Sequence, residues 1–118
     1  TQNLVAIVDR NRLQIDGATE DIMSVEPIDE RFASFGWDVQ RIDGHDTDAI
    51  LQAFDEMPRG AQGKPQCIVA DTIKGRGVAM MELALNWHVG NLVGRDYDAV
   101  IEELQAGLKP VSATEVQS

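Results

Sequence analysis

The sequence predicts an α/β fold, a parallel sheet with flanking helices, and three observations predict it. Short apolar runs recur at residues 4–8, 37–42 and 66–73, segments with a helical period alternate with them, and Gly, Pro or Asp punctuates the junctions. Strand, helix, strand, helix, strand in series gives a parallel sheet joined by right-handed crossovers.

Leu4 to Val8 is short, continuous and rich in β-branched residues, the pattern of a strand covered on both faces. Residues 10–24 mix polar side chains with Gly17 and show neither period, so they read as a long loop of the kind that carries function. Ile28, Phe32 and Phe35 then fall at i, i+4 and i+7. With Pro27 at the first turn and Gly36 after the last periodic residue, they predict a helix. Trp37, Val39 and Ile42 begin a second strand. Trp37 and the phenylalanines are expected in the core. Gly44, His45 and Asp46 form a turn, in which His45 is read as an ordinary turn residue. Asp46 or Thr47 caps a helix with the buried stripe Ile50, Leu51, Phe54 and Met57. Pro58, Gly60 and Gly63 break that helix. The run 66–73 is the third strand, apolar at Cys67, Ile68, Val69 and Ala70. Lys74 to Gly77 forms a glycine-bracketed loop, and residues 78–85 are apolar without a clear period. A last helix fits 96–107, with Tyr97, Val100, Ile101 and Leu104 on one side and Asp96 where negative charge favours the helix dipole.

A chain of 118 residues suits one compact unit. Residues 1–108 are read as the C-terminal portion of one domain and 109–118 as a flexible tail. Thr1 stands almost directly on a strand, so an element before it is expected to be missing. At 43% apolar and 25% charged residues, the composition is that of a globular chain. The net charge of −10 opposes nucleic-acid or membrane binding by bulk charge. No apolar run approaches the ~20 residues of a spanning helix, and the N-terminus lacks a secretory layout. A cytoplasmic protein is expected. The single cysteine, Cys67, reads as a small buried hydrophobe.

Ligands of open parallel sheets bind beyond the carboxyl ends of the strands, which directs attention to residues 9–17, 44–46 and 74–88. Asn11 places an amide oxygen two positions past the first strand, a hard ligand suited to Mg²⁺ or Ca²⁺, and the Leu13 carbonyl is a possible second ligand. Asn, Asp and Gly are equally the residues of any turn, so spacing alone leaves both readings open. Asp9 and Asp16 are read as flanking residues of this loop.

The string NLVAIVDRNRLQIDG resembles the second half of the bipartite thiamine-diphosphate motif of the transketolases, in which a Gly-Asp-Gly triplet precedes the Asn. FASFGWDVQRIDGHD, KPQCIVADTIKGRGVAMME and NWHVG are similar to later stretches of that family in the right order, covering residues 3–90. The resemblance implies the thiamine-diphosphate-binding fold, with thiamine diphosphate and Mg²⁺ or Ca²⁺ as cofactors. It implies that Asn11 and the Leu13 carbonyl bind the metal and that Ile15 packs against the cofactor. His88 is implied to be a cofactor-binding and catalytic residue beside the diphosphate. The tail WHVGNLVGRDYDAVIEELQAGL is closer to the split bacterial forms, whose pyrimidine half is a separate C-terminal subunit. The implied partners are therefore sugar-phosphate substrates and that C-terminal subunit, in a homo-oligomer or heterotetramer. The implied reaction moves a two-carbon ketol unit between sugar phosphates.

Two departures stand out. No Gly-Asp-Gly occurs, so the chain offers part of a metal site and is expected to be inactive alone. Val89, Gly90 and Asn91 replace the His-Gly-Ala-Pro pattern of larger transketolases. Lys74 or Arg76 is a candidate contact for a sugar phosphate, and Trp87 a candidate wall of the substrate channel. Alternatives are a deoxyxylulose-phosphate synthase, a dehydrogenase E1 component, or a noncatalytic flavodoxin-like interaction domain; DGHD and WHVG favour transketolase.

Overall fold

The computed structural model describes residues 3–58 and 63–107. Its elements are strand β1 (Val5–Arg10), the two-residue strands β2 (Leu13–Gln14) and β3 (Gly17–Ala18), the one-turn helix α1 (Thr19–Ile22), helix α2 (Ile28–Ser34), strand β4 (Asp38–Asp43), helix α3 (Thr47–Asp55), strand β5 (Gln66–Asp71), a 3₁₀ turn at Leu85–His88 and helix α4 (Arg95–Gly107). Gly60, expected to help break α3, and the expected tail at 109–118 lie outside the described residues.

The main sheet is parallel in the order β1-β5-β4, as the alternation predicted. β5 lies at the centre, and its apolar run Cys67 to Ala70 is covered on both faces. Cys67, Ile68 and Val69 are fully buried, down to 0% exposure at Val69, and each buried aliphatic side chain contributes on the order of 1.5–3 kcal/mol. Burial of this kind also raises the Cys67 thiol pKa. β1 is covered on one face only: Ala6 and Val8 are half-buried, whereas Ile7 is 60% exposed.

Asp46 caps α3 as expected, its carboxylate accepting from the backbone N–H of Asp48 at 3.0 Å and of Ala49 at 3.2 Å. The helix buries Ala53 in a cluster with Ile68 and Ala70, against which Ile42 and Met57 pack. Leu51 is 59% exposed and Phe54 also faces outward. Of the expected stripe, Met57 and Ile50 are thus partly buried while Leu51 and Phe54 are not, and the fully buried residue of the helix is Ala53. Phe35, expected in the core, is 84% exposed at the C-cap of α2. Phe32 alone among that helix's rings meets Trp37, edge to face at 5.3 Å.

The segment read as one long loop holds more structure than its composition suggested. Leu13 pairs with Ala18 and Gln14 with Gly17 in a small antiparallel hairpin, followed by α1. Among the described residues, no helix is long and apolar enough to cross a membrane.

Candidate functional site

Parallel register brings the strand ends level, with Arg10 of β1 and Asp43 of β4 both opposite Asp71 of β5. The chain leaves β1 at Asn11, whose side-chain oxygen accepts the Leu13 backbone N–H at 3.0 Å. This Asx turn reverses the backbone and fixes the oxygen beside the Leu13 peptide, leaving one lone pair of Oδ1 for another partner. Arg12, between them, has φ 62°, and its carbonyl accepts the Thr19 N–H at 2.9 Å. A non-glycine residue held in this left-handed region costs on the order of 1–2 kcal/mol.

Asn11, Arg12 and Leu13 form a shared wall between two cavities. The larger, about 720 Å³, opens over the ends of β4 and β5 and is also lined by Arg41, Asp43, His45, Asp71, Thr72 and Arg76. The smaller, about 390 Å³, lies beside the β2–β3 hairpin and is also lined by Asp9, Arg10, Thr19, Glu20 and Glu26.

A chain of ion pairs holds the base of the larger cavity. Asp71 accepts from Arg10 Nη1 at 2.6 Å and from Arg41 Nε at 2.8 Å; Arg10 is also bonded to Glu26, and Arg41 lies 3.5 Å from Asp29. One carboxylate on the central strand thus ties the other two strands together, and Arg41 links them to Asp29 of α2. The hydrogen bond from Arg41 does most to pull the Asp71 carboxyl down to about 2. Partial burial opposes the shift and Arg10 adds to it. Thr72, next in sequence, donates its hydroxyl to Asp9.

His45 is a turn residue as expected, but its ring has a second role that the sequence did not disclose. Gly44 lets the β4 turn lie against β5: its N–H donates to the Asp71 carbonyl at 2.8 Å, and a Cβ there would sit 2.5 Å from Thr72 Cγ2. His45 Nε2 then accepts the Ile73 N–H at 2.7 Å, so the neutral ring carries its proton on Nδ1. A pairing 28 residues apart in sequence leaves no periodic signal.

The glycine loop is closely packed and hydrogen-bonded. Gly75 has φ 77°, and a Cβ on it would meet the Met81 carbonyl oxygen at 2.3 Å. Glu82 accepts the Gly77 N–H at 3.2 Å and stands 4.0 Å from Arg76, while Glu103 of α4 accepts the Ala79 N–H at 2.9 Å. Trp87 anchors the 3₁₀ turn by donating its indole N–H to the Met80 carbonyl at 3.1 Å. That turn packs against β2.

Of the residues singled out from sequence, the structure brings Asn11 and Leu13 to both cavities and Arg76 to the larger one. Ile15, at the hairpin tip and 65% exposed, and His88, exposed on the 3₁₀ turn, line neither, nor does Trp87. Among the described residues no group of three or more His, Cys, Asp or Glu side chains could hold a metal alone. One amide oxygen with a lone pair to spare, on a residue that lines a cavity together with guanidinium groups, fits instead a hard cation that shares its coordination with phosphate oxygens.

Comparison with known proteins gives concordant results. The family model described as transketolase, thiamine diphosphate binding domain, matches residues 1–118. One subunit of a 6-deoxy-6-sulfo-D-fructose transketolase from Clostridium sp. (strain MSTE9) is 43% identical over 87% of this chain, and one of an apulose-4-phosphate transketolase from Phocaeicola vulgatus is 40% identical over 86%. The crystal structure of a transketolase from Campylobacter jejuni superposes with a TM-score of 0.77 at 26% identity over 88% of this chain. The chain spans 37% and 36% of the two curated relatives and 16% of the crystallised one.

Proposed function

The chain belongs to the transketolase family, in its thiamine diphosphate binding domain, and from that premise we propose that it forms part of an enzyme transferring a two-carbon ketol unit between sugar phosphates. Bound thiamine diphosphate supplies the carbanion-stabilising chemistry of such a transfer. This chain's residues bind and orient. Asn11, through its free lone pair, and Leu13, through its carbonyl, would hold Mg²⁺ or Ca²⁺, whose charge would offset the repulsion between a diphosphate and a protein of net charge −10. Ile15 gives the cofactor an apolar contact. His88 donates a hydrogen bond to a phosphate oxygen or to a developing alkoxide. The relatives named as transketolase subunits support a second polypeptide that completes the site.

The observation that carries this reading is the fixed Asn11 oxygen at the carboxyl end of β1, beside the Leu13 peptide and open to the cavity. Calorimetry of thiamine diphosphate binding to the complete protein, with and without Mg²⁺, tests it. The expected result is binding that requires the metal and weakens by about 10-fold or more in Asn11→Ala, as loss of a ligand should. Affinity unchanged in the variant would remove Asn11 from the site, and metal-independent heat would remove the cation.

A further inference from the structure

We propose that Thr72 is the positioning residue of the Asn11 turn, fixing from the central strand the place where the Asn11 oxygen meets a cation; that the turn holds a cation rests on the function proposed above. Thr72 is the first residue after β5, and it grips the last two residues of β1. Its hydroxyl donates to the Asp9 carboxylate, and its N–H donates to the Arg10 carbonyl at 3.2 Å. Arg10 is tied a second time, through its side chain, to Asp71 at 2.6 Å. Asn11 follows directly, so these bonds end one residue before the side chain whose oxygen accepts the Leu13 N–H. Thr72 lines the larger cavity, Asp9 the smaller, and Asn11 both.

The threonine is itself held from the opposite side. A Cβ on Gly44 would sit 2.5 Å from Thr72 Cγ2 and 3.2 Å from the Asp71 carbonyl oxygen, so the turn after β4 closes directly on the threonine methyl. The next residue, Ile73, is fixed by His45 at 2.7 Å. A β-branched side chain whose methyl is confined in this way has little χ1 freedom left, and its hydroxyl stays on Asp9. The methyl thus meets β4 and the hydroxyl meets β1. Valine would supply only the first contact and serine only the second. Strand pairing does not need the hydroxyl, because the β1–β5 ladder from Val5 to Arg10 and the Thr72 N–H bond are made by the backbone. What the hydroxyl adds is a fixed starting point for the Asn11 turn, and groups that orient a metal ligand are typically worth about 10- to 100-fold in metal affinity.

The test compares Thr72→Val, Thr72→Ser, Asp9→Ala and the Thr72→Val/Asp9→Ala double variant in the complete protein, by two measurements. Amide exchange at Leu13, followed by NMR without metal or cofactor, should be about 10-fold faster in Thr72→Val and within about 3-fold of the wild type in Thr72→Ser, as loss of one charge-assisted hydrogen bond requires. Asp9→Ala breaks the same bond from its other end and should speed that exchange by a similar factor. Calorimetry of thiamine diphosphate binding across a Mg²⁺ series should show the half-saturating Mg²⁺ concentration raised about 10-fold or more in Thr72→Val, restored by Thr72→Ser, with cofactor affinity at saturating Mg²⁺ within about 3-fold of the wild type. In the double variant, Thr72→Val should add less than about 3-fold to the effect of Asp9→Ala, since the two substitutions remove one interaction. Unchanged Leu13 exchange in both single-bond breakers, equal losses in Thr72→Ser and Thr72→Val, or effects that multiply in the double variant would overturn the role of Thr72. Faster Leu13 exchange in Thr72→Val, with cofactor binding independent of Mg²⁺ in the wild type, would instead sink the cation and leave Thr72 as a clamp on the turn alone.

Discussion

Replacing Asp71 by Asn tests how the strand ends are held together. The carboxyl is shifted from 3.8 to about 2 by two guanidinium partners, and at ~1.4 kcal/mol per pKa unit the upper bound on its charge-dependent contribution is ~2.5 kcal/mol. The side chain is 35% exposed, so water screens the pair and roughly 1–1.5 kcal/mol is the expected effect. The folded pKa lies below the unfolded one, so this stability is fully present above about pH 4 and is lost as pH falls through about 2. Urea unfolding of the wild type and Asp71→Asn at pH 7, 5, 4 and 3 measures it. The gap should be constant from pH 7 to 5 and narrow below pH 4. A gap that keeps its full size at pH 3 and below would mean that Asn fails for shape rather than charge, and no gap at pH 7 would refute the argument outright.

Three further outcomes follow from geometry. Asp46→Ala removes the cap of α3 and should cost about 1 kcal/mol in chemical denaturation; a smaller effect in Asp46→Ser would confirm that a side-chain acceptor is what matters. Gly75→Ala puts a methyl against the Met81 carbonyl at a positive φ, so a loss of about 2 kcal/mol or more in thermal stability is expected, and a neutral substitution would contradict the described loop. His88→Ala should lower kcat by more than it lowers cofactor affinity, and wild-type kinetics would return the residue to an ordinary place on its turn.

Fold class and most helices were legible because their signals are local. The period of residues 47–57, the Asp46 cap and the apolar run at 66–70 each act within a few residues of themselves. What escaped depends on position in the sheet or on distant partners. The run 4–8 reads as a strand, but nothing in it says which neighbour it pairs with; the order β1-β5-β4 among the described strands supplies that. Two-residue strands such as Leu13–Gln14 are too short to show alternation, so the hairpin was hidden in a polar stretch. His45 was legible as a turn residue, yet its bond to Ile73 belongs to tertiary structure. Asn11 was ambiguous in sequence because one oxygen suits a turn and a cation alike, and the Asx turn takes only one of its two lone pairs.

The strand order also bears on how the sheet is made. β1 and β4 never pair with each other; each finds its hydrogen-bonding partner in β5, the last of the three to leave the ribosome. Among the described strands, neither of the two earlier ones has a partner until residue 71 has emerged. Nascent chains arrested before that point should therefore lack the amide protection that β5 gives each of these strands, and should gain it once residue 71 is free.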